Sequence, residues 1–337
     1  MFFSKQKTIL GVDIGTSNIK IAQVTHGANR VLDTYGMVNV SYQIDSQNND
    51  AAITQTARIL KNLVQQARVT AKRCVISLPN SAVFTSIVDM PKMSEKELNS
   101  AMEYEGKKYI PLPLSEMNLS WSIVSQNPTT NTLKVLLTAV PKQIIESYIK
   151  LFSQAQLELE VMEIEALALM RSLVFESGKN NVIIDIGAKS TGLIIIKNGL
   201  LQLSRNINVG GDTITNRIAQ TLNISELRAE QFKRDFGVSQ STFLPEAIRP
   251  VLNIIKTEVK QLLTIYQTQD AKIDKIILVG GGANLPGIVP FFNDLGTGVE
   301  LGNPLKTVAF TQAGEPLLKR YALHLPIAIG LALRNES

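Results

Sequence analysis

The sequence predicts an α/β protein made of two related domains, with a smaller α+β unit set into the first. Three observations carry this. "VDIGTSNIKIAQV" at 12 to 24 and "IDIGAKSTGLIII" at 184 to 196 share one plan: an apolar strand, Asp-Ile-Gly, small polar residues, then a second apolar strand. A late strand, "IDKIILV", runs into Gly280-Gly281-Gly282. Between the two copies, short alternating segments replace the long apolar ones.

The elements follow in order. After the first hairpin, "AAITQTARILKNLVQQARV" puts Ile53, Ala57, Leu60, Val64 and Ala67 on one helical stripe, and "RCVISLP" reads as a buried strand ending at Pro79. From Val83 to about Gln156 come the strand-like "VFTSIVDM", "NLSWSIV" and "LKVLLTAV", with helices in "SEKELNSAMEYEGKKY" and "KQIIESYIKLFSQAQ". Ser94 and Glu97 form a capping box for the first of these helices. "IPLPL" at 110 to 114 is a stiff connector that cannot be helix interior. "EIEALALMRSLVF" reads as a helix that resumes the first domain. Beyond Gly210-Gly211-Asp212 the chain is mostly helical up to the late strand, and the last helix is "HLPIAIGLALR". The expected division is 1–82 plus 157–178 for the first domain, 83–156 for the inserted unit and 179–321 for the second domain. Within the second domain, 213–272 is mainly helical, and a helix at 322–335 can return to the first domain.

Composition excludes several classes. With 337 residues, 45% of them apolar and 19% charged, the chain can bury two cores without cross-links. The single cysteine, Cys74, forms no internal disulfide and fits a reducing compartment. No run reaches the roughly 18 to 20 apolar residues of a membrane helix, and "MFFSKQKTILG" lacks a signal-peptide core, so a cytoplasmic protein is expected. A formal charge of +5 is modest for this length, and its Lys and Arg are scattered, which disfavours nucleic acid as a partner. The two histidines, His26 and His324, have no neighbours at metal-ligand spacing. There is no Gly-x-Ser-x-Gly elbow and no Walker A loop. Trp121 reads as core of the inserted unit.

A phosphate cradle needs inward-pointing N–H groups and no obstructing side chains. In "DIGTSN", Gly15 permits the tight turn, Thr16, Ser17 and Asn18 add donors, and Lys20 adds a cation. Asp13 can orient waters around a Mg²⁺. Taken alone, the segment reads equally as a plain hairpin whose Asp caps the turn. The second copy repeats the spacing with Asp185 and Gly187 and supplies hydroxyls at Ser190 and Thr191. Bare backbone at Gly280, Gly281 and Gly282 lets a flat ring or ribose lie close, and a helix start after Pro286 favours a phosphate; the other reading is a simple strand-to-helix turn.

Two Asp-Ile-Gly hairpins followed by a glycine turn resemble the actin-like ATPase superfamily. Within it, "LPNSAVFTSIVDMPKMSEKEL", "EGKKYIPLPLSEM", "LLTAVPKQIIESYIKLFSQAQLELEVMEIEALAL" and "NVGGDTITNRIA" resemble the FtsA-like PilM family of type IV pilus assembly. The resemblance implies an actin-like ATPase fold of duplicated ribonuclease H-like domains with an FtsA-type insert, and ATP and Mg²⁺ as cofactors. It assigns Gly15, Thr16, Ser17 and Asn18 to the first phosphate loop and Lys20 to the β- and γ-phosphates. Gly187, Ser190, Thr191, Gly211 and the three late glycines fall to the rest of the nucleotide site. It also implies that Asp13 and Asp185 hold Mg²⁺ through water, and that Glu230 and Lys233 flank ribose and adenine. That last pair reads equally as a solvent-facing ion pair.

Where relatives have consecutive glycines and Thr, this chain has Gly187-Ala188-Lys189-Ser190-Thr191, so slow hydrolysis is expected. Glu165 stands where relatives orient the attacking water; it reads equally as a helix N-terminal acid favoured by the dipole. The implied partner is the cytoplasmic N-terminal tail of PilN, captured in a groove beside the inserted unit, which places the chain at the inner membrane through PilN. Pilus motor ATPases and self-association are further implied contacts. An FtsA-like filament-forming division protein and a small-molecule kinase of the same superfamily are the alternatives. The first expects a C-terminal amphipathic helix after the last core helix, and the second a large substrate insertion.

Overall fold

The computed structural model describes residues 7–40, 50–110, 112–174, 176, 178–238, 245–267 and 272–335. The chain begins with β1 (Lys7–Ile14), β2 (Asn18–His26), β3 (Val31–Asn39), α1 (Asp50–Gln66) and β4 (Arg73–Leu78). Next come β5 (Phe84–Pro91), α2 (Glu95–Tyr109), β6 (Met117–Asn127), β7 (Thr132–Pro141), α3 (Lys142–Gln154), β8 (Glu158–Ile164) and α4 (Glu165–Leu173). The second copy supplies β9 (Asn181–Ile186), β10 (Thr191–Lys197), β11 (Leu200–Ile207), α5 (Gly211–Leu222), α6 (Glu226–Phe236), α7 (Pro245–Gln267) and β12 (Lys275–Val279). The chain closes with α8 (Ile288–Phe292), β13 (Gly298–Leu301), α9 (Glu315–Tyr321) and α10 (Pro326–Ala332).

The sequence repeat is a repeat of topology. The first sheet runs β3-β2-β1-β4-β8 and the second β11-β10-β9-β12-β13. In both, the hairpin strands are antiparallel and the inner crossover strands parallel. Residues buried on both faces explain why β1, β2, β9 and β10 read as near-continuous apolar runs. β5, β7 and β6 form a separate three-stranded sheet, with Val88, Val135 and Leu137 packed on Leu98 and Met102 of α2. The Ser94–Glu97 capping box is present, and α2 ends at Tyr109; Pro111 lies outside the described residues, as does the stretch 1–6.

Four details differ from the sequence reading. Glu163 and Ile164 end a strand, so α4 starts at Glu165, because β8 is needed as the outer parallel partner of β4. Helix α3 packs Ile144, Tyr148, Leu151 and Phe152 with α1 against the first sheet, so its side chains join that core and not the inserted sheet. Trp121 is half-buried: it lies against the α2-side cluster while its indole N–H donates to Asn99 Oδ1 at 2.8 Å. The glycine turn continues as a 3₁₀ turn, Gly281–Asn284, and α8 is five residues long, too short to present a helix-dipole phosphate site.

The last segment crosses between the sheets. Leu323 O accepts the Gly280 amide at 2.9 Å, tying the segment to the glycine turn of the second sheet. Directly after it, α10 is buried against β1, β2 and α4. Gly11 and Gly330 permit that fit: a Cβ on Gly11 would overlap Ala328 O, and one on Gly330 would overlap Ala168 O. Buried Glu163 receives Arg171 and Arg334 together, and Arg171 Nε also donates to Gly330 O at 2.8 Å. Among the described residues, no helix is long and apolar enough to cross a membrane.

Candidate functional site

The two hairpins close alike. Gly15 N donates to Asn18 O at 3.0 Å, and Gly187 N donates to Ser190 O at 2.9 Å. A Cβ on Gly187 would come within 2.9 Å of Ser190 O, so that turn needs glycine for space, while one on Gly15 would crowd Lys20 Nζ at 3.0 Å and Asn18 O at 3.1 Å. Thr16, Ser17 and Asn18 form the half-buried tip of the first hairpin, and Ser17 O accepts from Val40 N at 2.9 Å. Asn18 Nδ2 donates to Ser17 Oγ at 3.3 Å, while Asn18 Oδ1 is buried without a partner. That orphaned acceptor fits a donor such as a metal-bound water.

Between the hairpins lies a crowded charge cluster. Asp13 is 1% exposed; it accepts from Lys20 Nζ at 2.9 Å and from Ser77 Oγ at 3.2 Å. Antiparallel register makes Asp13 and Lys20 direct cross-strand neighbours. Burial works against the Lys20 charge, but Asp13, Asp185 and Glu165 outweigh it and leave its pKa raised. Burial, reinforced by Asp13, pushes Asp185 up to about 6 although Lys20 opposes the shift. Glu165 opens α4, where the dipole favours the anion, yet burial and the carboxylates of Asp13 and Asp185 hold its pKa well above the usual range. The phenol of buried Tyr148, on α3, is raised by burial and by the charges of Glu165 and Asp13. Three carboxylates thus share one lysine, an arrangement that attracts a further cation. Among the described residues, no three His, Cys, Asp or Glu side chains converge as direct metal ligands.

Several expected ligand groups are turned elsewhere. Thr191 is fully buried and donates to Val209 O at 2.7 Å, bracing the approach to α5 rather than facing the cleft. Gly211 N donates to Gly187 O at 2.9 Å and Asp212 N to Ala188 O at 2.8 Å, so the second hairpin's carbonyls cap the start of α5. Gly280, at φ +84°, packs against Asp185 and Ile186, and Gly282 packs on the Ile186 side chain; only Gly281 of the three is exposed. Ser190 is half-buried at the hairpin end, and Lys189 is exposed.

Glu230 and Lys233 are a built network and not a solvent-facing pair. They lie 2.5 Å apart; Glu230 also accepts from Thr215 Oγ1 at 2.6 Å and Arg234 Nε at 2.8 Å. Lys233 donates to Thr215 Oγ1 at 2.8 Å and Gly211 O at 3.1 Å, joining α6 to the start of α5. Although burial opposes it, these hydrogen bonds and the Lys233 charge hold Glu230 down at about 2.

Ser77, Tyr148, Thr215 and His324 belong to this site and were not found from sequence. His324 approaches the exposed face of Gly281 and pairs with Asn284 Nδ2 at 3.2 Å. Only Ser77, at the end of the strand "RCVISLP", stood at a position that strand pairing could have flagged.

A second concavity, of about 370 Å³, lies between the edge strands β5 and β11. Asn80, Phe84, Ser86, Tyr109, Arg205 and Asn206 line it, and Asn206 Oδ1 is another buried acceptor without a partner. From β11 the chain passes through Asn208, Val209 and Gly210 into α5.

Residues 11–336 match the family described as type IV pilus assembly protein PilM. A solved PilM-PilN type IV pilus biogenesis complex is 26% identical, with a TM-score of 0.87 over 97% of this chain and 98% of that one. MreB 5 of Spiroplasma citri bound to AMPPNP shares the fold at 14% identity and a TM-score of 0.53, over 93% of this chain and 97% of that one. Cell division protein FtsA of Streptococcus pneumoniae serotype 2 is 24% identical over 83% of this chain and 71% of its own length. The fold is therefore that of the actin-like ATPases, and the match across nearly the whole chain shows that it belongs to the PilM family of type IV pilus assembly proteins.

Proposed function

We propose that this chain is an ATP-binding scaffold of type IV pilus assembly. It acts at the cytoplasmic face of the inner membrane, where it captures the N-terminal tail of a PilN protein. The paired hairpins facing a shared cluster of carboxylates carry the nucleotide part of this reading. The two sheets with their helices act as two domains around that cleft. Lys20 and the hairpin tip beyond Gly15 bind phosphate, and Asp13 and Asp185 orient the waters of a Mg²⁺, with Asn18 Oδ1 accepting from one of them. The bound cation neutralises phosphate charge. The Glu230–Lys233 network and Gly281 border the ribose and base.

The groove between β5 and β11 carries the partner part. Two edge strands offer unpaired backbone to an extended peptide, and the orphaned Asn206 acceptor awaits a donor. The solved relative holds PilN, and this chain takes the same class of partner in the proposal. Because β11 continues into α5 at the second hairpin, nucleotide strengthens capture to the extent that it favours one groove geometry over another.

Calorimetry with a synthetic PilN tail, with and without Mg-ATP, tests both parts. Ser81→Glu combined with Ser86→Glu is expected to abolish tail binding; unchanged binding would put the groove elsewhere. No tail binding in any nucleotide state would end the scaffold reading. Turnover is expected well below the ~10 s⁻¹ of ordinary enzymes. Glu165, its pKa raised by burial and by Asp13 and Asp185, orients water only when ionised, so phosphate release should rise with pH and disappear in Glu165→Gln.

A further inference from the structure

The crossing segment brings one side chain to the glycine turn that no strand or helix of that turn supplies. His324 lies over Gly281: a Cβ built there would sit 3.1 Å from His324 Cε1 and 3.4 Å from Nδ1. The other ring nitrogen, Nε2, is 3.2 Å from Asn284 Nδ2. An amide nitrogen can only donate, so Nε2 accepts and the neutral ring carries its proton on Nδ1, on the ring edge that with Cε1 lies over the bare glycine. The backbone beside it is fixed by the Gly280 amide on Leu323 O, and the Tyr321 ring meets the imidazole edge-on at 6.3 Å between centroids. Burial, with the charges of Lys20 and Arg234, lowers the ring's pKa to about 4, which keeps the ring neutral at neutral pH.

We infer that His324 is a nucleotide-contacting residue that donates its Nδ1 proton to an oxygen of the nucleoside polyphosphate. This rests on the nucleotide reading above. The chemistry fits an oxygen acceptor carrying negative charge, because the donor is neutral and the charges that act on the ring, Lys20 and Arg234, are cations. The ligand is then gripped by the same segment whose next turn is buried against the first sheet.

The chain has only two histidines, so the test needs no assignment library. His26 serves as the internal control, since it sits at the far end of β2 with Nε2 on Ala332 O at 2.7 Å. Nitrogen-15 spectra of histidine-labelled full-length protein are recorded while a non-hydrolysable ATP analogue and Mg²⁺ are added. The expected result is a shift of the His324 Nδ1–H resonance with His26 unmoved. His324→Phe, which keeps a ring but no donor, should weaken analogue binding about three- to tenfold, and His324→Gln should recover part of it. If the wild type binds the analogue with an unshifted His324 ring, or His324→Phe binds equally well, His324 has no such role and the nucleotide reading survives. If folded wild type binds no purine nucleotide, both fail together. Should His324→Phe not fold, the wild-type spectrum alone decides.

Discussion

The two Asp-Ile-Gly hairpins share a topology and a closing hydrogen bond but hold their aspartates in different ways. Across from Asp13 in register stands Lys20; across from Asp185 stands Gly192. The first hairpin therefore neutralises its own carboxylate. The second leaves an empty position, and the amide nitrogen of Asn80, from the turn after β4, lies 3.4 Å from where a Gly192 Cβ would be. The turns after the matching crossover strands diverge too: Pro79 has an ordinary φ of −64°, whereas Gly280 has φ +84°. One repeat keeps its charge satisfied internally, while the other is finished by residues from elsewhere and by whatever binds between them.

The largest break in this comparison should come from Gly280→Ala. Its Cβ meets left-handed backbone, the Asp185 carboxylate and Ile186 O, an expected cost of roughly 3–5 kcal/mol in urea unfolding. Pro79→Ala, at the matching turn, should stay within about 1 kcal/mol. Next comes Lys20→Ala, which strands a buried carboxylate and should cost about 3 kcal/mol without ligand. Titration of a fluorescent ATP analogue should show a further loss of roughly 1.5–3 kcal/mol in affinity. Equal affinities would remove Lys20 from the phosphate site.

The third test is pH dependence. A carboxyl whose pKa rises to about 6 on folding binds protons more tightly in the native state. Its contribution is therefore present at low pH and fades as pH climbs from the ordinary aspartate range through 6. His324, lowered to about 4, works in the opposite direction over an overlapping window, since its unfolded form takes the proton first. The wild-type profile should be shallow for that reason. Asp185→Asn removes the falling component, so the difference between variant and wild-type stability should grow with pH by up to roughly 3 kcal/mol. A flat difference would mean that Asp185 is no more basic than in the unfolded chain. The smallest effect is expected at Glu230, held at about 2 and hence stabilising above the ordinary glutamate range. Glu230→Gln should cost about 1–2 kcal/mol at neutral pH and progressively less toward pH 2, by the same unfolding measurement.

Sequence carried the repeat, because both faces of β1, β2, β9 and β10 are buried and such strands announce themselves as apolar runs. It missed β3, β11 and β13, whose mixed composition belongs to sheet margins, and it read the end of β8 as helix because "EIEALALM" satisfies the helical period. The site divides along the same line. Asp13, Gly15, Asp185 and Gly187 were legible from local spacing. Tyr148, Thr215 and His324 reach the cleft from distant parts of the chain, and nothing in their own neighbourhoods marks them. Thr191, Gly211, Gly280 and Gly282 also came from local spacing, yet in the fold Thr191 bonds Val209 O and the three glycines pack closely on the second hairpin.

The burial of α10 against β1 and β2 has a consequence for how the protein is made. About 300 residues separate the first strand from the helix that covers it, which at ~5–20 residues per second leaves a ribosome roughly 15–60 s before the cover is synthesised. Through that interval the apolar surface awaiting Ala328, Ile329 and Ala332 stands open on the nascent chain. Messages cut short before codon 326 would release a product whose first sheet can never be sealed, a natural client for holding chaperones and proteases.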